Sequence, residues 1–396
     1  MTRLYRALSR RSNQGSRWPV RSILSVFLIL LLSPLAGAQS FETEASHAVI
    51  YDVESDTVLW SHNGDEPMPP ASMSKLMTIL MAFEAIDEGR LSLDDELPVS
   101  EEAWRRGGAA SGSSTMFLDL NSRARVDDLL RGIIVQSGND ACIVIAEALG
   151  GTEENFAAMM TERARELGLD SASFANSTGW PHPDQRISAL DLARLSAIMI
   201  RDHPELYEIF DEREFTYNGI RQYNRNPLMG TFDGADGLKT GHTEESGYGL
   251  VGSAVRDGQR RIIVFNGMDS NRARANEAER MMRAAFAEFA TFDLFDAGDT
   301  VGEAEVFMGR SGTVSLVAPS DITVGLSRVA RRNMTVSVVY DGPLSAPISE
   351  GDVVAHLVVE APGQETRRYD LHAANDVPRK GMFGRAIDAL VHMIRG

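Results

Sequence analysis

The stretch Pro69-Pro70-Ala71-Ser72-Met73-Ser74-Lys75-Leu76-Met77-Thr78 constrains this chain more than any other. The two prolines end an extended segment, and the apolar run from Leu76 to Phe83 then predicts a buried helix. Ser72 and Lys75 fall one turn apart on the same face of its start. A hydroxyl stacked on an amine makes a nucleophile with its own base and needs no histidine. Any helix start can carry Ser-x-x-Lys by chance, so the reading depends on what the other residues supply.

The first 38 residues differ from the remainder. They hold six arginines (Arg3, Arg6, Arg10, Arg11, Arg17, Arg21), no acid, and an apolar core from Ile23 to Leu32 followed by Ala36-Gly37-Ala38. This pattern predicts a secretory signal cleaved before Gln39; the alternative, a retained anchor, needs a longer apolar run. Arg10-Arg11 lacks a following apolar pair, which favours the general export route over the twin-arginine one. The whole chain has 39 basic and 56 acidic residues, net −17; without the six leader arginines 33 basic residues remain, and the net becomes −23. An exported acidic protein is a poor partner for nucleic acid, whose phosphates need a basic surface. The single cysteine, Cys142, rules out an intramolecular disulfide, and its apolar neighbours mark it as buried packing.

With 396 residues there is room for two domains. Residues 39–292 read as mixed α/β: a hairpin of 48–52 and 57–60, the Ser72 helix, a Gly/Ser-rich loop at Arg106–Ser114, and helices at 126–136, 139–149, 153–167 and 188–202. Strands follow at 248–255 and 260–267, joined through Asp257-Gly258, then a helix from Glu277 to Phe289. Residues 293–378 read as a small all-β domain with strands at 304–307, 313–317, 322–324, 334–340, 353–359 and 366–371. At the end, Phe383, Ile387, Leu390, Val391 and Ile394 form one apolar face of a helix over Gly381–Gly396, with Arg379, Lys380, Arg385 and Arg395 making this end basic. Sixteen residues reach roughly 24 Å, so 379–396 is expected to lie in a membrane interface rather than span it; packing against the β domain is the alternative.

Two further elements answer the opening stretch. Ser137-Gly138-Asn139 falls at the junction of two helices, where a Gly turn is expected to present both side chains. Lys239-Thr240-Gly241-His242 follows the turn-like Asp233-Gly234-Ala235-Asp236-Gly237. Each triplet alone carries little information, but Ser-x-x-Lys, Ser-x-Asn and Lys-Thr-Gly in that order make the three-part signature of penicillin-binding proteins and serine β-lactamases. With Phe215–Gln222, Asn224-Arg225-Asn226 and the β-rich tail, the chain resembles the D-alanyl-D-alanine carboxypeptidases of the low-molecular-mass penicillin-binding protein family along its whole length. The resemblance implies a serine β-lactamase-like α/β catalytic domain, with an antiparallel sheet flanked by helices, and a small all-β domain. It also implies release of the terminal D-alanine from peptidoglycan stem pentapeptides, with β-lactams as inhibitors and no cofactor.

In that framework Ser72 is the nucleophile and Lys75 its base, made neutral by burial and by the nearby cation Lys239. Ser137 passes a proton towards the leaving amine, and Asn139 holds Lys75 and the substrate backbone. Lys239 and Thr240, on an edge strand, take the substrate's carboxylate end; Gly241 lets a peptide lie against the backbone. The N–H groups of Ser72 and His242 form the implied oxyanion hole. Arg274 corresponds in spacing to an arginine used near the carboxylate. Alternatives on the same scaffold are a DD-endopeptidase, a β-lactamase or a non-catalytic wall-binding protein. Glu166-Leu167-Gly168-Leu169-Asp170 resembles the deacylating motif of class A β-lactamases, but reads better as a helix stop with Gly168 left-handed. The scattered histidines have no zinc-ligand spacing, and no metal is expected.

Overall fold

The computed structural model describes Tyr5–Arg6, residues 41–362, 364 and 366–381. The leader read at 1–38, apart from Tyr5–Arg6, and the amphipathic helix read after Gly381 lie outside the described residues. No helix among the described residues is long and apolar enough to cross a membrane. The chain divides into two compact units, one of them Glu42–Thr291 and the other built on the residues from Phe292 onward.

The first unit is organised by a five-stranded antiparallel sheet. Its strands are β1 (His47–Asp52), β2 (Thr57–His62), β3 (Ala235–Thr243), β4 (Gly247–Arg256) and β5 (Gln259–Met268), in the spatial order β2-β1-β5-β4-β3. Successive residues Ile262, Ile263, Val264 and Phe265 of β5 are all fully buried. Successive side chains point to opposite faces, so both faces of the sheet are covered. The helices are α1 (Lys75–Asp87), α2 (Val126–Gln136), α3 (Asn139–Gly150), α4 (Glu153–Glu166), α5 (Ala189–Asp202) and α6 (Asn271–Ala287). Helix α5 packs on β1 and β5, and α6 on β4 and β5. Helix α1 is buried on every side, from Lys75 to Ala85 with only Glu84 partly open, as a helix apolar all round must be. Strand β3 is an edge strand of the sheet, as expected for Lys239 and Thr240.

Most elements of this unit lie where periodicity put them. The Asp257-Gly258 turn has φ +52 and +75, the left-handed pair that a two-residue hairpin requires. Gly168 is left-handed as read, at φ +73. Three readings need correction. Helix α6 starts at Asn271, six residues before the expected Glu277, because Ser270 caps it by accepting the Ala273 N–H at 3.0 Å; its first turns are polar and show no apolar period. Phe289 belongs to the next strand instead. At the junction of α2 and α3 the left-handed residue is Ser137 itself, at φ +65, while Gly138 stays at φ −56. A hairpin went unread at Glu214–Tyr217 and Ile220–Tyr223 around Asn218-Gly219.

The second unit contains the end of β6 (Phe289–Phe295), then β7 (Thr300–Phe307), β8 (Thr313–Val317), β9 (Ile322–Ser327), β10 (Thr335–Val339), β11 (Leu344–Ser345), β12 (Val353–Glu360) and β13 (Arg367–Ala373). One sheet runs β10-β12-β13-β8-β7-β11 with Tyr5–Arg6 beside β10, and β6 pairs with β9. Val314, Leu316, Val324, Leu357 and Leu371 form its core, so this unit is all-β as read.

Candidate active site

Ser72 lies in a single 3-10 turn, Ala71–Ser74, that runs directly into α1. Ala71 takes φ +48, a conformation that residues with a Cβ enter at a cost. The turn is held from two sides. Gly179, at φ +82, approaches so closely that a Cβ there would collide with the Ala71 carbonyl. On the other side Gly241 faces the turn: a Cβ would stand 2.9 Å from the Pro70 carbonyl oxygen and 3.1 Å from Met73 Cγ. Gly241 therefore admits the Ser72 turn close to strand β3, a neighbour that its sequence context did not suggest.

Lys75 is the first residue of α1 and is fully buried. Its Nζ lies 3.0 Å from Ser72 Oγ and 2.7 Å from Asn139 Oδ1, and it also bonds the Thr178 carbonyl oxygen. Asn139 opens α3, and its Nδ2 donates to Ser113 Oγ at 3.0 Å, while its own N–H donates to the Ser114 carbonyl at 2.8 Å. The Gly/Ser-rich loop is thus stitched to the Ser137-Gly138-Asn139 corner. Ser137 Oγ is buried and has no hydrogen-bond partner among the described residues. The left-handed backbone at Ser137 turns this hydroxyl away from the usual helix-capping role.

Strand β3 presents Lys239 and Thr240, both buried, with Lys239 Nζ donating to the Thr240 carbonyl at 3.1 Å. The imidazole of His242 stacks on Tyr248 at 3.8 Å between centroids. Arg274 sits in the first turn of α6, donates to Asn271 Oδ1 and lies 5.5 Å over the Tyr248 ring. Its Nε is buried without a partner among the described residues. The structure adds two groups that were assigned no role. One is the Thr178 carbonyl, a backbone atom with no signature in side-chain type. The other is Arg225, whose Nη1 donates to Ser114 Oγ at 2.8 Å; it lies in Asn224-Arg225-Asn226, a stretch noted only for its resemblance.

The electrostatics follow from burial of several cations together. Burial pushes Lys75 down to about 8; Arg225 pushes the same way, against Cys142, Glu153 and Asp140. Burial, then Lys75 and Arg225, lowers Lys239 well below its ordinary range. Burial lowers Arg274 to about 10, with Arg225 adding to it. Arg225 thus acts on Lys75 alongside the repulsion between the two buried lysines, which is mutual. Such a cluster is poised to take a carboxylate, which would relieve it. Cys142 is buried and its thiol is pushed up to about 12, again by burial, as inert packing requires. Glu166 pairs with Arg163 of its own helix at 2.8 Å and is exposed, in keeping with a helix stop. A cavity of about 490 Å³ lies at the far end of β3, lined by His47, Pro69, His242, Tyr248 and Asn266 but by neither Ser72 nor Lys75.

Comparison with known proteins places this geometry. Residues 35–270 match the D-alanyl-D-alanine carboxypeptidase family model, and residues 289–379 match the C-terminal domain of penicillin-binding protein 5. The chain is 35% identical over 376 residues to D-alanyl-D-alanine carboxypeptidase DacA of Haemophilus influenzae, covering 94% of this chain and 95% of that one. It is 36% identical over 371 residues to DacC of Escherichia coli, covering 92% and 93%. Among solved structures, penicillin-binding protein 5 from Haemophilus influenzae aligns at a TM-score of 0.70 and 35% identity, over 87% of this chain and all of that one. Penicillin-binding protein D2 from Listeria monocytogenes, in a cefotaxime-bound form, aligns at 0.56 and 31% identity over 62% of this chain and 98% of its own. The order of the three motifs, the all-β second unit and these matches lead to one conclusion: the chain belongs to the D-alanyl-D-alanine carboxypeptidase family and has a penicillin-binding-protein fold.

Proposed function

We propose that this chain is a serine peptidase that removes the terminal D-alanine from peptidoglycan stem pentapeptides through an acyl-enzyme on Ser72. The observation that carries the reading is the set of partners around Lys75 Nζ. A neutral amine has two N–H donors and one lone pair. Two of its three neighbours, Asn139 Oδ1 and the Thr178 carbonyl, can only accept, and the third is the Ser72 hydroxyl. With both protons committed to the carbonyls, the lone pair is left for the serine proton. Burial favours that neutral form.

The steps follow. Lys75 takes the Ser72 proton as Oγ attacks the carbonyl carbon before the last D-alanine, and the N–H groups of Ser72 and His242 stabilise the oxyanion. Ser137, with its uncommitted hydroxyl, passes a proton to the leaving amine; D-alanine departs, and water hydrolyses the ester. Lys239, Thr240 and Arg274 hold the substrate's carboxylate, joined by Arg225. A β-lactam carries a carboxylate and a strained amide and acylates the same serine.

The test is mass spectrometry of products from a synthetic pentapeptide ending in D-Ala-D-Ala, with labelling by a fluorescent penicillin alongside. Release of one D-alanine, and labelling lost in Ser72→Ala, is the expected result. Rapid penicillin turnover with no D-alanine released would overturn it in favour of a β-lactamase, and absence of labelling in folded wild type would favour a non-catalytic role. We further propose that residues 1–38 direct export with cleavage before Gln39, that 39–292 and 293–378 act as catalytic and accessory domains, and that 379–396 holds the enzyme on the outer face of the inner membrane. Removing 381–396 is expected to release the protein from membranes with activity intact; continued sedimentation with membranes would refute the anchor.

A further inference from the structure

The segment Asn176–Trp180 supplies the Thr178 carbonyl to Lys75, and its own position is fixed by an unusual density of bonds. Asn176 Oδ1 accepts from the N–H groups of Thr178, Gly179 and Trp180 at 3.2, 2.7 and 3.0 Å, and from Thr178 Oγ1 at 3.0 Å. The Ser177 carbonyl accepts from Thr78 Oγ1 of α1 at 2.8 Å. A further tie comes from outside the motifs. Glu153, the first residue of α4, is buried; its Oε1 accepts from both the N–H (3.1 Å) and the Oγ (2.7 Å) of Ser177. Its Oε2 accepts from Arg106 Nη1 at 3.1 Å, and that guanidinium lies 5.1 Å over the Trp180 ring.

We propose that Glu153, balanced by Arg106, is a positioning residue that holds Ser177 by its N–H and hydroxyl so that the carbonyl of the next residue, Thr178, stays on the Lys75 amine. The inference rests on Lys75 being the base. A buried carboxylate accepting three bonds cannot leave its place without exposing unpaired charge, so it fixes the peptide more firmly than a neutral side chain would. It couples three segments whose disposition sets the geometry at Lys75: the start of α4, the loop bearing Thr178, and the Gly/Ser-rich loop beginning at Arg106, whose Ser113 bonds Asn139. That coupling gives the loop a role in catalysis beyond lining the cleft.

The carboxylate also acts through its charge. Lys75 is faced by Asp140 and Cys142 from α3, Glu153 from α4, Arg225 and, across the site, Lys239 on β3. Glu153 is faced by Arg106 and, near it, Glu102 and Glu147. A negative neighbour favours the ammonium form of Lys75, and Arg106 offsets that influence. Removing either partner therefore moves the proton balance in opposite directions, which loosening of the structure alone would not do.

The experiment measures the acylation rate by a fluorescent penicillin against pH for wild type, Glu153→Gln and Arg106→Met, with Ser72→Ala and Lys75→Ala in parallel. In Glu153→Gln the acid limb is expected to move to lower pH and the plateau to fall by roughly tenfold, since small misplacements of reacting groups are costly. In Arg106→Met the limb is expected to move to higher pH. Limbs that coincide with wild type in both variants, or that shift in the same direction, would overturn the proposal whatever the melting temperatures. Should the buried Glu153→Gln fail to fold, Arg106→Met, at a partly exposed side chain, carries the same test. Acylation surviving in Ser72→Ala or Lys75→Ala would instead refute the underlying reading, so the two failures are separable.

Discussion

Lys75 ties chemistry to stability through one number. With its amine near 8 in the folded state, acylation of free enzyme is expected to rise through an acid limb centred near pH 8. A limb near 10.5, the ordinary lysine value, would mean the amine is not desolvated as described. The same depression has a thermodynamic sign. Between about 8 and 10.5 the unfolded chain holds a proton on this lysine that the folded chain lacks, so folding gains stability as pH rises through that window. As pH falls through it, stability is lost, and below about 8 the full loss of about 3 kcal/mol remains. Lys75→Met removes the titrating group at the cost of unpaired Asn139 and Thr178 oxygens. Its stability difference from wild type is expected to change between pH 8 and 10.5, in favour of wild type at the upper end; parallel pH curves from thermal melts would refute this. At this scale the side chains of the three motifs were legible because acyl transfer needs particular residue types at particular spacings. The Thr178 carbonyl was not, because every residue carries a carbonyl. Gly241 was legible as special, but its closeness to Pro70 and Met73 was not, since sequence does not say which backbone will approach a bare Cα.

Elements inherit their placement from these close approaches. Strand β3 can deliver Lys239 and Thr240 beside Ser72 only while Gly241 leaves room for Pro70 and Met73. Gly241→Ala forces a Cβ against a carbonyl oxygen that belongs to the turn itself, where relief requires moving backbone. The expected outcome is a folded protein destabilised by about 1–3 kcal/mol, with acylation reduced far more than that loss explains. Unfolding curves combined with acylation rates check it, and a variant that acylates at the wild-type rate would remove Gly241 from the positioning argument. The helices were legible where a buried stripe repeats at helical spacing, as in α2 through α5. The start of α6 was hidden because Asn271 to Asn276 bury little apolar surface, leaving the Ser270 cap as the sole local signal. The hairpin at Asn218-Gly219 had the strongest short-range turn signal available, but its strands are too short and too exposed to show a clear alternation.

At the scale of the whole molecule, the question is what the second unit does for the first. The groups proposed for catalysis and binding, from Ser72 to Arg274, all fall within Glu42–Thr291, and that unit has its own extensive core running from Val49 through α1 to Val264. The Listeria monocytogenes neighbour is matched over 98% of its length by only 62% of this chain and was solved with cefotaxime bound. A chain of about the first unit's size therefore suffices, in that protein, to bind a β-lactam. By that argument a fragment of residues 42–291 is expected to fold and to be acylated by a fluorescent penicillin within a few-fold of the full-length rate. Strand β6 spans the cut, at Phe289–Phe295, so the fragment truncates a strand and is expected to melt at a lower temperature than the parent. If the folded fragment is acylated only a hundredth as fast, the second unit shapes the site itself. If the rate holds while release of D-alanine from cross-linked wall falls, its contribution lies in bringing the catalytic unit to its substrate.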